Sequence, residues 1–351
     1  MSTAGHDVSG TRAPAARVPA EPPFPVERSL VSAEAVAAIV ERLHAFGGPV
    51  RCRLLHPGMN DSYLVESETG RFVGRLYGPG RTADEIAYEL DLLLHLERAG
   101  VEVSSPVAAV DGRLVHALAA PEGVRRLVLF THADGRPLSW RDRRESLAAG
   151  RLAASVHCAA GDFSSLHPRD PIDLDALLSD PLDAMLPFLA ERPEERRELA
   201  RLASRLRARA EEAAPALDWG VCHGDLGAAN VHVAARGGLT LFDFDLCGPG
   251  WRAWDLVGAW AAALHGRDEA IWDAFLEGYR AARALGAADV SAVPLFYAIG
   301  RVWSLGMRAA NAPHRGSWPF EGDHLEARLR FLRRWEAEQL EPRAPGGGLS
   351  A

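Results

Sequence analysis

The chain has 351 residues, 48% hydrophobic and 25% charged, which is enough to bury a full core in two ordinary lobes and too apolar for a disordered chain. Its formal net charge of -8 argues against nucleic acid or an anionic membrane as the main partner, because both demand a basic surface. All 39 basic residues are arginine, so any phosphate contact must come from arginine or from backbone N–H groups.

The first residues, 1–27, are rich in Ala, Pro and Arg without an apolar run, so they are expected to be a loose leader, neither a signal peptide nor a membrane anchor. A helix is predicted from the cap Ser32 to Phe46, stopped by Gly47, Gly48 and Pro49. Short β-type runs follow at 51–56, 62–66 and 71–77, the last two joined by Ser67, Glu68, Thr69 and Gly70 in a hairpin turn. Thr82 and Glu85 form a capping box, and Ile86, Leu90, Leu93 and Leu94 then mark a helix that lays one face on the sheet and ends at Gly100. Further strands are predicted at 101–110, 113–116 and 125–131. Asp134 to Pro137 breaks the pattern into a connector.

From Trp140 onward helical patterns dominate, at about 143–160, 194–214, 253–264, 269–285, 292–311 and 323–340, with short β signals only at 231–234 and 239–242. The expected architecture is α+β: an N-terminal lobe over 28–131 with an antiparallel sheet plus helix, a linker at 132–138, and a larger, mostly helical lobe over 139–341. A cleft should separate the lobes. Residues 342–351 read as a flexible Pro/Gly tail. Cys52, Cys158, Cys222 and Cys247 show no C-x-x-C spacing and suit a reducing cytoplasm. The longest uncharged apolar run, 256–264, is about half of the roughly 20 residues that a spanning helix needs, so no membrane segment is expected.

The segment richest in chemistry is His223-Gly224-Asp225-Leu226-Gly227-Ala228-Ala229-Asn230, followed thirteen residues after Asn230 by Asp243-Phe244-Asp245. Phosphoryl transfer needs a carboxylate beside the attacking hydroxyl and oxygen ligands that hold magnesium on the phosphates. Asp225, Asn230 and Asp243 supply that set, from one loop and from the end of a strand. The chain has only three asparagines (Asn60, Asn230, Asn311), and this pattern should arise by chance on the order of once in a thousand such chains.

These residues resemble the catalytic loop and metal motif of the aminoglycoside phosphotransferase and choline kinase superfamily, which has a protein-kinase-like fold; residues 222–255 are most similar to its type II homoserine kinase and stress-response kinase branch. The resemblance covers roughly residues 30–335 and implies ATP and Mg2+ as cofactors. It implies Asp225 as catalytic base, Asn230 and Asp243 as metal ligands, His223 as scaffold of the loop, and Asp255 as its anchor. Asp245 would be a supporting carboxylate, and His157 a buried structural residue.

Arg75 stands where the family carries its ATP-phosphate lysine, with Glu89 as the matching acidic partner and Glu85 as its rival. An arginine keeps the charge and grips phosphate through two N–H groups. Residues 57–62 resemble the loop over the nucleotide phosphates, in which Gly58 would permit close backbone approach while Asn60 and Ser62 donate hydrogen bonds. Trp303, Arg308 and Asn311 lie close together on one helical stretch as candidates for an acceptor pocket. The implied activity is transfer of a γ-phosphate to a hydroxyl of a small molecule such as an aminoglycoside, homoserine or another metabolite. Two alternatives are a kinase of Ser or Thr hydroxyls on a peptide, and a nucleotide-binding pseudokinase that acts by interaction. The oligomeric state is left open.

Overall fold

A computed structural model of the protein describes residues 25–317, 320 and 323–339; most of the expected leader and the whole tail at 342–351 lie outside these. Ser32 caps helix α1 (Ala33–Leu43) by accepting from the Ala35 N–H at 3.2 Å. The helix stops at Leu43 rather than Phe46, because the chain turns extended at His44 and so brings the Phe46 ring onto Phe72 at 4.9 Å.

Strands β1 (Arg51–Pro57), β2 (Asp61–Ser67) and β3 (Gly70–Leu76) follow, then the capping-box helix α2 (Ala83–Arg98). Strands β4 (Val115–Ala120) and β5 (Gly123–Thr131) complete an antiparallel sheet in the order β1-β2-β3-β5-β4. Alternation along β5 divides the two cores. Leu127 and Leu129 pack with Val36 and Val40 of α1, while Val128 and Phe130 join the larger core that α2 shares with the helical lobe. Burying each of those valines contributes about 1.5–3 kcal/mol.

The strand expected at 101–110 does not form. Pro106 cannot sustain a ladder, and Ser104 and Ser105 instead hold Thr131: the Ser104 hydroxyl donates to the Thr131 carbonyl at 2.5 Å and the Ser105 N–H donates to Thr131 Oγ1 at 2.9 Å. Two isolated bridges, Val103 to Leu241 and Pro106 to Phe130, tie this connector to both lobes. Strand β4 begins at Val115 because Gly112 (φ 80°) and Arg113 close a turn over Asp111.

In the second lobe the two-residue strand β6 (Arg136–Pro137) pairs with strand β8 (Val231–Val233), so the expected linker is itself part of a small sheet. Helix α3 (Arg143–Ala159) leads to a π-turn at Asp175–Ser179 and helix α4 (Asp180–Met185), which the sequence patterns missed because both are less than two turns long. Helix α5 (Pro193–Ala213), strand β7 (Trp219–Cys222), the β8–β9 hairpin (Val231–Val233, Leu239–Leu241) and strand β10 (Gly248–Trp251) come next. Helices α6 (Val257–Gly266), α7 (Glu269–Ala282), α8 (Ala287–Ala310), α9 (Ala312–Arg315) and α10 (Asp323–Gln339) close the lobe.

Helix α8 starts five residues earlier than expected and carries Pro294 inside it. By length and composition alone it would suffice to cross a membrane, yet half of that stretch is buried inside the fold, as in the core helix of a globular lobe. It buries Val293, Phe296, Ile299, Val302 and Leu305 in the core of its lobe.

Candidate active site

Strand β7 pairs antiparallel with β10, and the chain leaving β7 at Cys222 forms the loop that carries His223, Gly224 and Asp225. Gly224 has φ 87°, and a Cβ there would meet the Leu246 carbonyl oxygen at 2.2 Å, so only glycine fits the turn. Asp255, fully buried, fastens the loop: its carboxylate accepts from the His223 N–H at 2.7 Å, the Gly224 N–H at 2.9 Å and His157 Nε2 at 3.0 Å. Burial pushes its pKa up, but His157, His223 and the backbone donor together hold it below the usual carboxylate range.

The Asp255→Asn variant keeps the shape and loses acceptor capacity against two backbone donors. Urea denaturation should show a loss of about 3 kcal/mol, the range for breaking a buried, hydrogen-bonded charge. A change under about 0.5 kcal/mol, the level of an ordinary surface substitution, would rule out the anchoring role.

Asn230 and Asp243 meet because they flank one hairpin. Asn230 enters β8 and Phe242 leaves β9, and the Phe242 N–H donates to the Asn230 carbonyl at 2.9 Å. The next residue, Asp243, has φ 68°, a left-handed conformation that costs about 1–3 kcal/mol in a residue with a side chain. His223 couples this turn to the catalytic-type loop: Nδ1 accepts from the Asp225 N–H at 3.1 Å, which leaves Nε2–H to donate to the Phe242 carbonyl at 3.1 Å. The ring also stands edge-on to Phe244 at 4.4 Å.

The Asn230 amide donates to Asp225 Oδ2 at 3.0 Å and to the Asp225 carbonyl at 2.9 Å, which leaves Asn230 Oδ1 to face the cleft. Asp225 itself is exposed at the cleft floor. Its partial desolvation pushes its pKa up, with Asp243 and Asp255 adding to the rise and His223 and Asn230 opposing it. Asn230 and Asp243 line one cavity of 490 Å³ and Asp225 lines another of 520 Å³. The donor chemistry at their junction, a carboxylate and a carboxamide oxygen, suits a hard divalent cation such as Mg2+.

Arg75 of β3 bridges the lobes. One guanidinium nitrogen meets Glu89 Oε1 of α2 at 3.0 Å and the other meets Asp243 Oδ1 at 2.9 Å. Burial works against the Arg75 charge, but the Asp243 and Glu89 carboxylates outweigh it and raise its pKa. Glu89 is buried rather than on a solvated helix face; burial pushes its pKa up to about 7 although Arg75 opposes the rise. Tyr77 Oη donates to Glu89 Oε2 at 2.8 Å, and the Arg75 guanidinium lies 5.2 Å from the Phe130 ring centroid. Glu85 closes the capping box and pairs with Arg81 at 3.0 Å.

The β1–β2 loop departs from expectation. Ser62 lines the first cavity, but Asn60 and Gly58 do not. The Asn60 amide donates to Asp245 Oδ2 at 2.8 Å and accepts from the Gly78 N–H at 3.1 Å, so its oxygen and one of its two N–H groups are engaged within the protein. The reason is Asp245, a buried carboxylate that requires donors and also draws Arg81 to 3.4 Å. Burial and then Asp243 raise its pKa. The backbone of Gly58 closes its own turn by donating to the Asn60 carbonyl at 3.1 Å.

Trp303, Arg308 and Asn311 line the second cavity with Asp225, joined by Met59 and Arg315, which sequence patterns did not single out. His157 is buried between Tyr279 Oη at 2.7 Å and Asp255, away from both cavities.

The profile of a family described as "Phosphotransferase enzyme family" matches residues 51–290. An uncharacterised protein of Deinococcus radiodurans is 38% identical over 89% of this chain and 92% of its own length. A homoserine kinase of Neisseria meningitidis is 27% identical over 75% of this chain and 85% of its own length. Among solved structures, an amicoumacin kinase in complex with AMP-PNP, Ca2+ and Ami superposes with a TM-score of 0.70 at 20% identity, covering 87% of this chain and 93% of that one.

Proposed function

Because the chain belongs to the phosphotransferase enzyme family, we propose that it moves the γ-phosphate of ATP onto a hydroxyl group of a small molecule. One observation carries this reading: Asn230, which lines the cavity with Asp243, donates to Asp225, which lines the other cavity, at 3.0 Å, so the two sites are one hydrogen bond apart. A donor nucleotide in the first cavity and an acceptor in the second would meet there. AMP-PNP and a divalent cation in the structurally similar amicoumacin kinase support the choice of donor.

Asp225 orients the acceptor hydroxyl and takes its proton, with the His223 contact and the Asn230 amide keeping the carboxylate in place. Asp243 and Asn230 Oδ1 are the groups that would hold Mg2+, which when bound offsets charge on the phosphates. Arg75 adds fixed positive charge at the same place. A cavity of 520 Å³ suits a metabolite better than a peptide chain. The unpaired Cys52, Cys158, Cys222 and Cys247 fit a cytoplasmic enzyme. The test is formation of a phosphoester and ADP, followed by phosphorus NMR, from Mg-ATP and hydroxyl compounds; hydrolysis to inorganic phosphate alone, with every acceptor, would reject transfer to a hydroxyl.

The Arg75 bridge makes a separate prediction. Arg75→Ala should lower kcat/KM by about 100-fold or more, the scale for losing a preorganised donor at developing charge. Glu89→Ala should cost less, and the double variant should be little worse than Arg75→Ala, since both act through one contact. Arg75→Lys keeps the charge without the two-headed reach, so its activity should fall between wild type and Arg75→Ala. Steady-state kinetics with varied ATP decides this, and wild-type kinetics for Arg75→Ala would discard the phosphate role.

A further inference from the structure

The second cavity differs in charge from the first. Of its walls, Trp303, Met307 and Arg308 come from α8, Met59 from the β1–β2 loop, and Arg315 from the end of α9, with one guanidinium nitrogen donating to the Pro57 carbonyl at 3.1 Å; Asp225 lines the same cavity. Two arginines against one aspartate leave one surplus positive charge among apolar side chains.

More charge of the same sign stands behind. Arg301 lies two turns before Arg308 on α8, with its guanidinium 5.3 Å from the Phe331 ring centroid of α10. Arg328 of α10 adds a further like charge, and its pKa is lowered by burial and then by Arg308 and Arg301. Glu326, on the same helix, is engaged by Arg333 at 2.8 Å and Arg330 at 3.9 Å instead. Among the described residues, none of Arg301, Arg308 and Arg328 is in an ion pair. Like charges in one region repel one another, and an anion bound at Arg308 lowers that cost. A smaller cavity that shares Trp303 and Leu246 does carry Glu85 and Asp170, but there Arg81 at 3.0 Å and Arg169 at 3.7 Å already meet Glu85.

Resting on the kinase reading above, we propose that Arg308 and Arg315 bind a carboxylate on the acceptor, so the phosphorylated compound is a hydroxy acid rather than an amino alcohol. The guanidinium fork matches a carboxylate through two parallel N–H groups. A single surplus positive charge in the cavity matches a monoanion better than a phosphate dianion. Trp303, Met307 and Met59 cover the carbon chain between the carboxylate and the hydroxyl held at Asp225.

The test uses the full chain with Mg2+ and AMP-PNP, titrated calorimetrically with ω-hydroxy acids and ω-amino alcohols of three to six carbons. The best acid should bind about tenfold or more tightly than the amino alcohol of equal length, as expected for one charge-assisted hydrogen-bonded pair. Arg308→Gln combined with Arg315→Gln should erase that preference, Arg308→Lys should preserve it, and Arg308→Glu should reverse it. Amino alcohols that bind as tightly as the acids, acids that do not bind, or a preference untouched by the glutamine variants would each overturn the assignment. Acids that bind with the expected preference but yield no phosphoester with ATP would support the assignment and reject the kinase reading instead.

Discussion

The Asp225→Ala variant should lose about 100- to 10,000-fold in kcat, the range for removing a general base, while its Mg-ATP affinity changes only slightly. The separation follows from position. Asp225 lines the acceptor-side cavity, whereas Asn230 and Asp243 line the other. Its carboxylate touches the nucleotide side only by accepting the Asn230 amide at 3.0 Å. Asp225→Asn is the control for shape, because it keeps the size of the side chain and removes the basic oxygen; it should fall with the alanine variant. Single-turnover rates and calorimetric titration of Mg-AMP-PNP measure the two properties independently. Turnover at wild-type level in either variant would remove Asp225 from the chemistry, and with it the placing of the acceptor at that cavity.

Asp243→Ala should instead abolish the magnesium dependence of nucleotide binding. The affinity for Mg-AMP-PNP should fall by roughly 100-fold or more, above the 10- to 100-fold that loss of an outer partner of a metal ligand costs. In the wild type, chelation of Mg2+ by EDTA should weaken nucleotide binding to a similar level, and the variant should be indifferent to it. The substitution also frees one nitrogen of Arg75, now 2.9 Å from Asp243 Oδ1, so some charge is left to attract phosphate and binding should not vanish. Asp243 occupies a left-handed backbone conformation at φ 68°. Asp243→Gly relieves that strain while deleting the carboxylate, and thermal melting should show it at least as stable as the alanine variant. Retained magnesium dependence in the alanine variant would exclude Asp243 as a ligand.

Much of this arrangement was legible in the residues because the informative relations are local. Asp225 and Asn230 sit five positions apart on one loop, and Asn230 and Asp243 bracket a hairpin whose strands show as short β runs. Thr82 and Glu85 announce α2 through reciprocal bonds three residues apart, and α2 then carries Glu89 to Arg75. The misplaced elements have equally specific causes. Pro106 denied a ladder to an otherwise strand-like run, and helices below two turns, such as α4, carry too short a pattern to read.

Composition, capping and spacing thus determined the α+β architecture, most of the longer helices and the chemical type of the Asp225, Asn230 and Asp243 set, since each depends on neighbours within a few turns or one hairpin; strands β7 and β10 and the short helix α4 left no such signal. Only the folded chain decided that Asn60 would serve Asp245 across 185 residues rather than face the cleft. It alone turned Asp243 into a strained conformation beneath Arg75, and set Arg308 and Arg315 from two helices in the wall of one cavity with Asp225. Contacts between distant segments leave no periodicity in the chain; they are settled by which buried charges must find partners once the two lobes pack.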